Sequence, residues 1–368
     1  MDAQELQRCA LWQPDWINLV FVNGRYVSDL STPSSTTKVQ AGSLAKSDYQ
    51  GLMQQYLGRY ADSGEDGFTA LNTAFVQDGA FVHAPSGEAL DQVVHLIYIT
   101  TDGDQPVVTH PRTLIVAGAN SNLRVVESYY SSTDSQHFTN AVTEIVLDPG
   151  ANVDHCLVML ENTSAFHIGS SRVYQGQDST FTSVAFAKGA ALGRNDFQVL
   201  LDAPGASCTL NGLYLTKGTQ HMDNFINIDH AKPYGTSNLF YKGILDGKSR
   251  AIFGGTVLVR EDAQQTNAQQ TDKNLILSYE AEVDSKPSLL IYADDVKCGH
   301  GATAGHIDED TLFYMRSRGL DAETASRLLI HAFASEIIDT VQIAPLRDYL
   351  DELFLDSIPA STLKLGDS

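Results

Sequence analysis

The densest run of chemistry-bearing side chains is Asp294-Asp295-Val-Lys-Cys298-Gly-His300-Gly-Ala-Thr303-Ala-Gly-His306. If the chain is extended here, alternate side chains point the same way, so Cys298 and His300 share a face. A thiol and an imidazole so placed are two ligands for zinc or for the iron of a cluster, or a Cys/His nucleophile pair. Gly299, Gly301 and Gly305 keep the surroundings small, so a bulky group can approach. The spacing alone does not separate these chemistries from a buried inert thiol beside a hydrogen-bonded imidazole, which is the commoner case. The other cysteines, Cys9, Cys156 and Cys208, are scattered, so further ligands must come from distant residues or from another chain.

Weaker candidates lie upstream. His221, Asp223 and Asn224, followed by Asp229 and His230, could be metal ligands or an acid/base pair. Polar side chains that satisfy the backbone at strand corners are the favoured reading. The amide-rich run Ala263–Asn274, which includes Gln264, reads as a stacking ladder or solvated loop rather than a polar-ligand site. Lys242-Gly243-Ile-Leu-Asp-Gly247-Lys248-Ser249 has three residues between its glycines where a phosphate loop needs four, and no strand-to-helix context. No nucleotide is therefore expected on this chain. Neither a GxSxG nor an HExxH motif occurs.

The elements that must position these residues fall into three zones. Residues 1–70 form a short mixed, partly helical region: a strand in INLVFVNGRYV, a Ser/Thr-rich loop at 31–37, a helical stretch at 47–60 and a Gly/Asp break at 62–67. Residues 71–300 read as β. Short runs such as HLIYIT, TLIVAG and DFQVLLD alternate with turns, often Gly-Ala pairs such as Gly150-Ala151 and Gly205-Ala206. A sandwich or barrel ordinarily runs to about half this length, and pattern alone places a β-solenoid slightly ahead of a double sandwich. Residues 301–368 read as helical. Asp308-Glu309-Asp310 caps one helix, Gly319 ends it, Asp321 caps the next, and Pro345 interrupts before a short helix at 348–355.

The 368 residues carry 24 basic and 45 acidic side chains, a net charge of −21. Such a surface repels phosphate backbones and anionic membrane, so neither nucleic acid nor membrane is an expected partner. No apolar stretch reaches the roughly 18 residues of a membrane span. The N-terminus is acidic where a signal peptide would be basic, and the cysteine usage suits a reduced compartment, so a cytoplasmic location is expected.

The run from Tyr292 to Leu320, with HMDN…IDH (221–230), SNLFYKGILDGKSRAIFGG (237–255) and AQQTNAQQTDKNLILS (263–278), resembles the SufB/SufD family of iron–sulfur assembly scaffolds. The segments FVNGRY and FTALNTAFVQDGAFVHAP extend the likeness, which covers most of the chain from about residue 17. Glycine follows the histidine in Lys297–Thr303, where SufB has an acidic residue, so the chain is similar to the SufD branch; its N-terminal helical region is short for the family.

The resemblance implies a right-handed parallel β-helix core flanked by helical segments. It implies a non-catalytic scaffold of the SufB–SufC–SufD complex, paired with SufB through the β-helix and with the SufC ATPase through its C-terminal helices, or a homodimer when alone. It places His300 at a transient iron–sulfur cluster shared with SufB, with Cys298 in support. It attaches a reduced flavin to the complex. The helical tail would dock SufC through Leu312, Phe313, Met315, Leu328, Leu329 and Phe333, whose apolar surface exceeds what a small tail buries by itself. His221, Asp223, His230, Lys242, Gln264 and Asn274 are the remaining residues of the shared motifs. The alternatives are a β-helix carbohydrate-active enzyme, which needs a charged row along one face, and a purely structural self-associating protein.

Overall fold

The computed structural model describes residues 1–32, 38–46, 50–64, 66–103 and 105–358. Most of the expected Ser/Thr-rich loop at 31–37, the first residues of the expected helix at 47–60, and one residue of the break at 62–67 lie outside them.

The body is a β-solenoid of about 8 turns with helices at both ends. From Arg112–Ala117 onward successive strands alternate between two ten-stranded stacks, here the front and back sheets, and in the front stack every pairing from Ile17–Val22 onward is parallel. The front sheet ends on Lys297–Gly305 and the back sheet on Glu282–Ile291. The strand pairings Ile17–Val22 with Arg25–Tyr26 and Gln40–Ser43 with Gly79–Ala84 are antiparallel, as is the isolated bridge Asn18–Thr32.

The helices are α1 (Ala3–Cys9), α2 (Gln50–Tyr56), α3 (Gly67–Phe75), α4 (Glu309–Ser317), α5 (Ala322–Ile338) and α6 (Ala344–Leu355). As the sequence predicts, Asp308 caps α4 through Thr311 N at 2.7 Å, and Asp321 caps α5 through Thr324 N at 2.8 Å. Gly319 stands between them at φ +97°, a conformation that disfavours a Cβ. Pro345 does not merely interrupt: it sits in the first turn of α6, where its missing N–H costs nothing, so that helix starts before the expected 348. Helix α3 has no counterpart in the sequence reading; Asp66 caps it through Phe68 N and Thr69 N.

The two sheets differ in what covers them. Back-sheet strands such as Leu192–Leu201 and Arg250–Val259 alternate strictly between buried and half-exposed residues, because only their inner face is covered. Front-sheet strands such as Thr180–Lys188 and Ser207–Thr216 run to continuous burial. Their outer face, with Val126, Val158, Val184, Leu213 and Ile244, packs beneath Ile330, Ala334 and Ile337 of α5 and Leu346, Leu350 and Phe354 of α6. The C-terminal helices thus lie along the flank of the solenoid.

Corners use left-handed backbone to turn the chain. Gly150 (φ +69°) and Gly205 (φ +75°) do so, and the alanine after each, Ala151 or Ala206, drops fully buried into the core. At the equivalent turns of other rungs Asn120, Asp178, Tyr234 and Gln265 take the same conformation.

Candidate functional site

The strand Lys297–Gly305 pairs only with Asn267–Ile276, and Glu282–Ile291 only with Arg250–Val259, so among the described residues the solenoid ends in two unpaired strand edges. Parallel register places Cys298 over Ala268, His300 over Gln270, Ala302 over Asp272 and Ala304 over Asn274. Ala268, Gln270, Asp272 and Asn274 are buried inside the solenoid, so Cys298 and His300 continue two inward-facing columns onto the last rung. Across the opening stand Val283, Ser285, Pro287 and Leu289 of the back sheet, in register over Ala251, Phe253, Gly255 and Val257.

Cys298 and His300 therefore share a face, as the spacing predicts, but their environments differ. Cys298 is half-buried against the interior core. Burial pushes its thiol pKa up, so at neutral pH it is held protonated and is poorly suited to act as a free nucleophile. His300 is exposed on the terminal rung. Among the described residues no group of three or more His, Cys, Asp or Glu could hold a metal, so the pair by itself makes no metal site.

One rung behind the pair lies a polar layer that the sequence reading took for a ladder or a loop. Asp272 is fully buried, and its Oδ2 accepts from Ser285 Oγ at 2.6 Å and Asn274 Nδ2 at 2.7 Å. Tyr214 donates to Asn274 Oδ1 at 2.5 Å. Asp272 Oδ1 and both amide atoms of Gln270 are buried without a hydrogen-bond partner. Burial raises the Asp272 carboxyl to about 6, and the bonds from Ser285 and Asn274 only partly offset it. The available signal was the alternation of Gln270, Asp272 and Asn274, which is what a strand with a polar inner face shows.

The other motif residues are built into the frame. His230 is fully buried with Nε2 2.9 Å from Ser237 Oγ, and burial takes its pKa down to about 4. Asp223 is bound by Arg194, and Asp229 by Arg260 at 2.6 Å, while His221 stands at the start of its strand. Gln264 is a corner residue whose Oε1 accepts from Asp295 N at 3.0 Å. Lys242 points outward from the front sheet and is 1% exposed. Its Nζ donates to Phe333 O at 2.7 Å, pairs with Glu336 at 2.8 Å and lies 4.0 Å from the Phe333 ring centroid.

That contact bears on the tail. Of the six apolar residues expected to dock a partner, only Phe313 (73%) and Leu328 (48%) are largely exposed. Leu312 is buried, and Met315, Leu329 and Phe333 are intermediate, with Phe333 packed on the solenoid-side core. The tail spends part of its apolar surface on its own chain: Phe333 packs on the solenoid flank and Leu312 is buried, which leaves Phe313 and Leu328 as the largely exposed members of the six.

Sequence reading also missed the ionisable groups nearer the other end. Glu161 accepts from Thr139 at 2.7 Å and lies 2.7 Å from His167 and 3.4 Å from His137. Burial opposes its ionisation, but the charge and hydrogen bonds of these histidines take its pKa to about 2. Glu144 pairs with Arg112 at 2.5 Å and accepts from the N–H groups of Gly58, Tyr60 and Ala61, clamping the segment after α2 onto the solenoid. A cleft of about 340 Å³ beside α6 is lined by Cys9, Tyr130, Lys188, Lys217 and Tyr349 among others, and by no residue of the open end.

Comparison with known proteins converges on one family. Residues 98–333 match the profile described as SUF system FeS cluster assembly, SufBD core domain, and residues 1–96 match the SufBD protein N-terminal region. An iron–sulfur cluster assembly SufBD family protein of Synechocystis is 36% identical over 344 residues, covering 90% of this chain and 76% of the relative. The iron–sulfur cluster assembly protein SufD of Escherichia coli is 31% identical over 330 residues, covering 89% and 76%. SufD of Bacillus subtilis is 27% identical over 290 residues, covering 78% and 65%.

Proposed function

The chain belongs to the SufBD family of the SUF iron–sulfur cluster assembly system, and from that premise we propose that it is the SufD-type scaffold subunit, holding a nascent cluster at the open end of its solenoid. The observation that carries the site is the half-complete pair, Cys298 and His300, on a terminal rung whose strand edges are unpaired. Open edges and a missing ligand set have one economical solution: a second solenoid of the SufB type abuts this end and supplies the remaining ligands.

In this reading the cluster is cargo. His300 offers a neutral imidazole nitrogen to iron, and Cys298 stands beside it as a thiol that a metal would have to deprotonate. A site with one exposed nitrogen and one half-buried sulfur commits weakly, which suits a cluster that must be handed on. Scaffold function needs no catalytic group here, and ATP hydrolysis is assigned to a SufC-type partner. Phe313 on α4 and Leu328 on α5 are the exposed apolar side chains on which that partner would dock.

The test is co-expression with SufB and SufC, followed by gel filtration and anaerobic iron and sulfide analysis of wild type and His300→Ala. A His300→Ala complex that assembles normally and acquires iron and sulfide like wild type overturns the ligand role. One that fails to assemble makes His300 an interface residue instead.

A further inference from the structure

Resting on that site assignment, we propose that Asp272 is a positioning residue of the cluster site: a buried carboxylate held without a counter-charge one rung behind His300, whose negative charge draws ferrous iron to the open end. Asp272 is fully buried, and no cationic side chain pairs with it among the described residues. Its Oδ2 is fixed by Ser285 and Asn274, and Asn274 is itself held by Tyr214, so the carboxylate cannot turn away. Its Oδ1 has no partner.

Two placements aim this charge at the site. Ser285 belongs to the terminal strand of the back sheet, so the carboxylate is tied to the rim of the opening. In the front sheet only Ala302, with glycine on one side of it at Gly301, stands in register above Asp272. Gln270, directly beneath His300, adds an unpartnered amide oxygen and nitrogen to the same layer. A charge buried without a partner is strongly disfavoured unless a cation approaches it. A low-dielectric setting carries its field to the rim with little screening.

The imidazole of His300 is a borderline donor that suits ferrous iron, and the carboxylate one rung behind it adds attraction without coordinating. The carboxyl pKa near 6 leaves the group ionised at pH 7.5. The same charge disfavours an anionic, sulfide-rich product, so it favours iron entry over retention of the finished cluster.

The experiment is anaerobic titration of the full chain with ferrous ammonium sulfate at pH 7.5, comparing wild type, Asp272→Asn and His300→Ala, with thermal melts of each. Asp272→Asn keeps the shape and the Ser285 contact. It is expected to weaken iron binding about tenfold or more, to melt at the same or a higher temperature, and to flatten the loss of iron affinity between pH 7.5 and 5.5. Unchanged or tighter iron binding by Asp272→Asn overturns the proposal. If His300→Ala weakens binding while Asp272→Asn does not, the cluster site stands and the role of Asp272 falls. If wild type shows no saturable iron site, the proposal falls, and the site assignment is then judged by the complex alone. If Asp272→Asn instead leaves iron affinity intact and weakens association with SufB, a partner's cation is the counter-charge and the iron role is likewise overturned.

Discussion

Gln270 lies directly beneath His300 in the parallel register of the last two front-sheet rungs, and its amide reaches across the interior to the backbone of Gly255. A Cβ at Gly255 would collide with that amide. Gly255→Ala should therefore destabilise the fold by about 1–3 kcal/mol through overpacking. Gln270→Ala combined with it should recover most of the loss. Urea unfolding of the two single variants and the double variant measures the coupling; additive losses would show that the two positions do not touch.

His300 is exposed, so His300→Ala should change stability by less than about 0.5 kcal/mol. Cluster assembly with SufB and SufC should nonetheless fall sharply. Cys298→Ser places a hydroxyl against the interior core and should cost about 1 kcal/mol with a similar or milder assembly defect. Circular dichroism melts and sulfide analysis on the same samples separate the two effects.

Lys242→Ala removes the ammonium that joins the front sheet to the Phe333 carbonyl and to Glu336. The carbonyl is left without that donor and α5 loosens, at a cost of about 2–4 kcal/mol. Hydrogen exchange should show the loss concentrated in α5 and α6; uniform loss across the solenoid would contradict the anchoring role.

Acid sensitivity should begin near pH 6.5. Burial takes His230 down to about 4 and His95 down to about 3, so each binds a proton more readily unfolded than folded. Stability from these groups is full above pH 6.5 and is lost as pH falls toward their folded values. For His230 the span amounts to at most about 3 to 4 kcal/mol, at about 1.4 kcal/mol per pH unit. Asp272 works in the opposite sense: its carboxyl is raised to about 6, so its burial costs stability above that pH and less below it. In guanidinium titrations from pH 7.5 to 4, His230→Gln should flatten the acid limb and Asp272→Asn should lift the neutral end.

Ending the chain at Ala304 removes α4, α5 and α6 and uncovers Val126, Val158, Val184, Leu213 and Ile244 on the front sheet. Retained β structure in a soluble monomer would show that the flank does not need its cover. The expected result is aggregation or unfolding, because a contiguous apolar sheet face is then exposed to water.

How much was legible in the sequence follows from how local each signal is. Helix ends at Asp308, Gly319 and Asp321 were readable because a cap acts over three or four residues. The shared face of Cys298 and His300 was readable because strand alternation is a property of the backbone. Gly150-Ala151 and Gly205-Ala206 marked corners, yet the repeat stayed hidden: along the back sheet the step between stacked residues varies from 26 (Phe166 to Leu192) to 33 (Gly79 to Arg112), and asparagine, aspartate, tyrosine and glutamine take the glycine's place at other corners.

Only the tertiary structure decided which residues meet across rungs. Asp272 and Ser285 are thirteen positions apart on different sheets, and their contact exists because one solenoid turn brings both strands to the same end. Phe333 looked like docking surface until the flank of the front sheet took up its side of the tail, and Leu312 proved buried. Long-range burial sets the fate of a polar or apolar side chain, and burial is a property of the neighbours that the fold supplies rather than of the residue or its sequence context.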